Sequence, residues 1–200
     1  MADKSYLVAG LGNIGPEYAA TRHNIGFIVL DAWAQASNLE FLPKRYGAVA
    51  TDSIKGRQFH LLKPSTYMNL SGSAVRYWMN ELEILPENLI VVCDDINLPF
   101  GTIRMRMSGS DGGHNGLWDI EETLMTRQYA RIRVGVGHDF ADGSQIDFVL
   151  GHFAPEQLAE LHSITDRVVS GIKTWAFVGA QKAMTELNTR HETVENTPSQ

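Results

Sequence analysis

Only one cysteine, Cys93, occurs among the 200 residues, which excludes an internal disulfide and a multi-cysteine zinc site. No apolar run approaches the roughly 18 residues that a transmembrane helix needs. The opening MADKSYLVAGLG is too short in apolar residues for a secretory signal, so a cytoplasmic location is expected. Basic residues are the minority, 17 against 23 acidic, giving a net charge of −6. That balance argues against a nucleic acid held over a broad surface, because a polyanion is repelled at long range; such a partner needs a local basic patch. Also missing is a G-x-S-x-G elbow, the usual structural cue for a serine acyl-enzyme.

What is present is an ordinary globular balance, 44% hydrophobic and 20% charged, in a chain long enough to bury a core without a staple. SYLVAG reads as a buried strand ended by glycine. Ile25, Ile28, Val29, Ala32, Trp33 and Ala36 then recur at helical spacing, with Asn24 as the expected N-cap and His23 just before it. GAVATDSI and RQFHLLKP flank Lys55-Gly56 as a hairpin. Ser71 is expected to cap a helix over 72–82, ENLIVVCDD is a second buried strand, and GTIRMRM and YARIRVGVG are further strands. A helix over 115–126 would bury Leu117, Ile120, Leu124 and Met125. The segment 138–150 reads as loop, Pro155 starts one long helix to 188, and residues 189–200 form a polar tail. Alternating strands and helices predict an α/β fold over 1–188: a single domain with a mixed, mostly parallel sheet and helices on both faces.

Gly10, Gly12 and Gly15 carry the G-x-G-x-x-G spacing of a dinucleotide fingerprint. A working fingerprint also needs a helix starting inside the motif and an acidic residue at the next strand tip about 20 positions on. Here the clean helical stripe begins only at Ile25, and AQASNLE stands where the strand tip should be. Nicotinamide binding is therefore the lesser reading. The glycines instead let the loop turn sharply and present Asn13.

Polar residues cluster where α/β folds place their sites, after strands and before helices: Asn13, Asn69, Asp94 and the GGHNG run. His23 is the natural base, and the positive end of a helix dipole beside it is expected to disfavour imidazolium and keep the ring neutral. Asp94 and Asp95 suggest a metal site or a carboxylate pair, but adjacent strand residues face opposite ways; one carboxylate steadying a histidine fits better. Cys93, inside an apolar strand, reads as packing rather than nucleophile. Arg104 with Arg106, and Arg131 with Arg133, are same-face pairs that read first as solvated strand faces and second as a phosphate patch.

In order along the chain, GLGNIGPEYAATRHNIGF, KPSTYMNLSG, DDINLPFGTIRMR, GGHNG and RIRVGVG together resemble the bacterial peptidyl-tRNA hydrolase family, over residues 5–188. The resemblance implies hydrolysis of the ester between a peptide and the terminal ribose of tRNA, in a monomeric enzyme without metal or organic cofactor. It implies His23 as general base, Asp94 as its support, and Asn13, Asn69 and Asn115 around the scissile ester. Tyr18, Tyr67, Met68, His114 and Asn115 match positions near the terminal nucleotide and peptide, and Arg106 and Arg133 match positions that hold phosphate. An RNA-binding relative without hydrolysis is the alternative; such relatives usually carry a transit peptide, and none is read here. Ile14, Asn97, Asp111 and Asp139 depart from the family pattern, and Ile14, in place of a proline, is expected to loosen the Asn13 loop.

Overall fold

A computed structural model describes residues 4–189. Its strands are β1 (Lys4–Gly10), β2 (Leu42–Lys44), β3 (Gly47–Ile54), β4 (Arg57–Pro64), β5 (Leu89–Asp95), β6 (Ile103–Arg106) and β7 (Ala130–Gly135). They form one sheet in the order β2-β3-β4-β1-β5-β7-β6. The central strands β4, β1, β5 and β7 run parallel, whereas β2, β3 and β6 join by antiparallel pairing. The helices are α1 (Ile25–Ala36), α2 (Ser71–Glu81), α3 (Asn115–Leu124), α4 (Gln145–Val149), α5 (Pro155–Phe177) and α6 (Ala180–Asn188).

Strand alternation sorts the core into two layers. Val8, Ile90, Val92, Ile132 and Val134 face α1, α5 and α6 with Trp33, Val168 and Ile172, while Leu7, Ala9, Val91 and Cys93 face α2 and α3 with Val75, Leu117 and Ile120. Because both faces are covered, LIVVCDD is a continuous apolar run rather than an alternating one. Each aliphatic side chain buried here contributes about 1.5–3 kcal/mol.

Several expectations are corrected. Ser71 is the first residue of α2 rather than its cap; its hydroxyl donates to the Met68 carbonyl. Helix α3 stops at Leu124, and Met125, in a left-handed conformation, is exposed rather than core. The long final helix is two helices, because Gly179 at φ 130° takes a backbone conformation that ends α5 and turns the chain into α6. The 138–150 loop contains α4. Strand β2, three exposed residues with a proline, carries too little pattern to be read from sequence. Of the polar tail, residues 190–200 lie outside the described residues.

The solvated-face reading of the arginine pairs fails for Arg131, which is 1% exposed under α3 and bonded to Glu121 at 2.8 Å. Strand β7 is an interior strand, so only its end reaches solvent. At the β6 edge, the Asn188 side chain accepts from the Met105 N–H and donates to its carbonyl, occupying backbone groups that would otherwise invite another strand.

Candidate active site

Strands β1 and β5 are parallel neighbours at the centre of the sheet, and the chain leaves them toward opposite edges. That divergence opens a crevice above their C-terminal ends, the place where open α/β sheets carry their sites. The loop after β1 supplies Asn13 and His23, and Asp94 stands near the end of β5.

The glycines are explained by this geometry. A Cβ on Gly10 would strike the Gly26 carbonyl, and one on Gly26 would strike the Leu11 backbone and lie 2.6 Å from the Val92 carbonyl oxygen. They let the first turn of α1 press directly against β1 and β5, and that contact sets His23, three residues before Gly26, over Asp94. Asn24 does not cap α1 through its side chain. Its amide instead accepts from the Asn13 N–H at 2.8 Å and donates to the Asn13 carbonyl at 2.9 Å. This two-way clamp holds the loop that Ile14 was expected to loosen, and it leaves the Asn13 side chain without a hydrogen-bond partner among the described residues.

His23 Nδ1 lies 2.9 and 3.0 Å from the two Asp94 carboxylate oxygens. A carboxylate only accepts, so Nδ1 carries the proton and the lone pair sits on Nε2. His114 Nε2 is 2.9 Å from Asp94 Oδ1. The other nitrogen of His114 accepts from the N–H groups of Gly116 and Leu117 at 3.1 and 3.3 Å, making His114 the side-chain cap of α3. Its Nδ1 is therefore unprotonated and Nε2–H donates to Asp94. Three ligand atoms of His23, Asp94 and His114 lie close enough for a metal ion. The hydrogen bonds argue against one: with Nδ1 accepting, coordination through His114 Nε2 would require a fully deprotonated imidazolate.

Burial disfavours the His23 imidazolium more than any other single influence, but the Asp94 charge and hydrogen bond together outweigh it, and the pKa stands above its ordinary value. This corrects the expectation from the helix dipole: the carboxylate, in direct contact, decides the sign. Burial likewise pushes the Asp94 carboxyl toward neutrality, yet the two histidines hold it well below the usual carboxylate range. Cys93 is fully buried, and burial drives its thiol pKa far up, so it has no thiolate to offer.

A cleft of ≈240 Å³ collects Asn13, His23, Met68, Asp94, His114, Asn115 and Arg133. Its outer wall is α4, with Ile146, Val149 and Leu150. Arg22 secures that wall, donating to the Phe148 carbonyl at 3.2 Å and stacking on the Phe148 ring. Sequence reading treated this segment as loop; the apolar positions in QIDFV were its only signal. Asp95 turns away from Asp94, accepting from the Asn97 N–H and approaching Arg133 at 3.5 Å. Arg133 also donates to the Ser110 carbonyl. Asp111 lines the cleft and accepts from the Gly113 N–H, and Asp139 is exposed. Tyr18, Tyr67, Asn69 and Arg106 are not among the lining residues. Tyr67 and Asn69 are exposed on either side of Met68, Tyr18 is half-buried in the loop after β1, and Arg106 is exposed on β6.

The family model described as peptidyl-tRNA hydrolase matches residues 7–196. A peptidyl-tRNA hydrolase of Phocaeicola vulgatus is 57% identical over 183 residues, covering 92% of this chain and 98% of the relative. One of Cytophaga hutchinsonii is 52% identical with the same coverage. The crystal structure of the peptidyl-tRNA hydrolase of Acinetobacter baumannii superposes with a TM-score of 0.86 at 31% identity, covering 94% of this chain and 96% of that one.

Proposed function

Because this chain belongs to the peptidyl-tRNA hydrolase family, we propose that it cleaves peptidyl-tRNA with His23 as general base. The observation that carries the mechanism is the His23 ring, tied through Nδ1 to both Asp94 oxygens, in the wall of the cleft. Nε2 takes a proton from a water as its oxygen attacks the ester carbonyl carbon, an assistance typically worth ~10²–10⁴ in rate. The carbonyl oxygen becomes an oxyanion, met by side-chain N–H groups of Asn115 and Asn13, both in the cleft. The intermediate then collapses by breaking the bond to the ribose oxygen, which takes the proton from His23. The new peptide carboxylic acid gives its remaining proton to solvent, and peptide carboxylate and free tRNA leave.

An ester has a good leaving group, so neither covalent intermediate nor metal is needed. Met68 sits in the cleft; to its exposed neighbours Tyr67 and Asn69, and to the half-buried Tyr18, this reading assigns contact with the terminal nucleotide and the peptide. Arg133, which lines the cleft, and the exposed Arg106 meet phosphate near the acceptor end. This needs few basic residues and suits a chain of net charge −6. No helix of the described residues is long and apolar enough to cross a membrane; a cytoplasmic monomer is the working assignment.

The decisive experiment is release of free peptide from purified peptidyl-tRNA, with aminoacyl-tRNA as the control. Rapid release from the first and slow release from the second is expected; binding without release would support the RNA-binding alternative and defeat this reading. The control probes Asn13, whose neutral amide pairs with a peptide group but solvates an ammonium poorly. Asn13→Ala should narrow the ratio of the two rates by about 10-fold or more, and an unchanged ratio would remove Asn13 from substrate choice. Arg133→Glu should raise KM for peptidyl-tRNA, leave that for a small ester unchanged, and flatten the salt dependence of binding by about one counterion. Equal losses on both substrates would count against the phosphate role.

A further inference from the structure

We propose that His114 is a positioning residue, which uses the N-terminal N–H groups of α3 to fix its own tautomer and thereby hold Asp94 as an acceptor shared between two imidazoles. The inference rests on the general-base reading of His23 and deepens it. Both ring nitrogens of His114 are occupied by the protein: Nδ1 by the Gly116 and Leu117 N–H groups, Nε2 by Asp94 Oδ1. Neither is left for a substrate atom, although the ring lines the cleft. The side-chain exposure of 8% for His114 and 3% for Asp94 means that solvent cannot replace this bond at low cost.

The consequence is a divided carboxylate. Asp94 Oδ1 accepts from both rings and Oδ2 from His23 alone. A second donor withdraws part of the negative charge that would otherwise favour protonation of His23. It also fixes the carboxylate plane, so that His23 is held by both oxygens and its Nε2 keeps one direction. The tautomer is the working part. An Nδ1–H form of His114 would turn a proton toward two N–H groups and a lone pair toward a carboxylate, losing every contact. Helix α3 thus transmits its terminal N–H groups to the base through two side chains.

Other charged groups around the cleft do not duplicate this. Asp95 is engaged by Asn97 and Arg133, Asp111 by the Gly113 N–H, and Arg22, next to His23, by the Phe148 carbonyl. The cleft residues contributed by α3 and α4 are Asn115, Leu117, Gln145, Ile146 and Val149, none of which titrates.

His114→Asn separates the two jobs of the ring. An asparagine oxygen keeps the cap of α3, while the donor to Asp94 is lost. Stability should fall modestly, from the loss of one buried hydrogen bond to Asp94 while the helix cap is kept, and KM should change little. Because His23 acts unprotonated, the rate is lost as pH falls through its pKa; weakening the competing donor raises that pKa, so the acid limb of kcat/KM should move up by about one unit. At a fixed pH below the wild-type limb the rate should fall by about 10-fold, and it should recover as the pH is raised. Nitrogen-15 spectra of the wild type above the acid limb should show His114 as the Nε2–H tautomer and His23 as the Nδ1–H tautomer. An unmoved acid limb with raised KM would make His114 a substrate contact. An unmoved limb with lost stability would make it a cap alone, and an Nδ1–H tautomer at His114 would remove the basis of the inference. Each of these overturns it while wild-type peptide release still stands; failure of the wild type to release peptide would overturn the general-base reading itself.

Discussion

Replacing His23 with alanine is expected to lower kcat/KM for peptidyl-tRNA by ~10²–10⁴-fold, the usual contribution of a positioned base. Folding should survive, because Asp94 keeps its second donor in His114. Asp94→Asn tests the same pair from the other side. An amide at position 94 can donate to His23 and turn the imidazole to the wrong tautomer, so the plateau rate should also fall sharply. The acid limb then separates the variants. In the native chain burial lowers the His23 pKa and Asp94 raises it, with a net rise. Without the negative charge only burial remains, so the limb should move down, opposite to the direction expected for His114→Asn. Peptide release followed across a pH series, with a thermal melt of each variant, checks all three. A His23→Ala variant that cleaves at the wild-type rate would end the general-base assignment.

Gly26→Ala should be the most damaging conservative change to the fold. Its new methyl carbon would fall against the Leu11 backbone and 2.6 Å from the Val92 carbonyl oxygen, where no side-chain rotation gives relief. Helix α1 must lift from β1 and β5, a loss of about 3 kcal/mol or more. For a chain of this size that corresponds to a fall in Tm of roughly 6–12 °C. Activity in the folded fraction should fall as well, since His23 rides on the same turn. A dinucleotide-binding role for these glycines makes a different forecast: intact stability and weakened NADH binding. Denaturant unfolding and a fluorescence titration with NADH distinguish the two, and an unaltered melt would show that the close contact carries little energy.

Much of the site was legible because the signals are local. An apolar run ended by a carboxylate marks a buried strand tip, and a histidine just before a helical stripe marks a loop at the same end of the sheet. Asn24 shows where locality fails. By sequence it is an N-cap, yet its amide turns to Asn13, eleven residues away, because folding brings that backbone closer than the helix terminus. Arg131 fails likewise: strand alternation places it on the correct face, but whether that face is wet depends on α3, which covers it and brings Glu121. The direction in which the His23 pKa is shifted was misjudged for the same reason, since a helix terminus can be read from sequence whereas a carboxylate 71 positions away cannot be placed against it.

By itself the amino-acid order determined the alternation of strands and helices, the sheet-like interior and the kinds of polar group available, because periodicity and turn chemistry act between near neighbours. The shared carboxylate, the tautomers of two rings, the clamp on Asn13 and the burial of Arg131 were decided only in three dimensions. They depend on which distant groups meet where water is excluded, and there a single hydrogen-bonded neighbour outweighs the preference any residue carries along the chain.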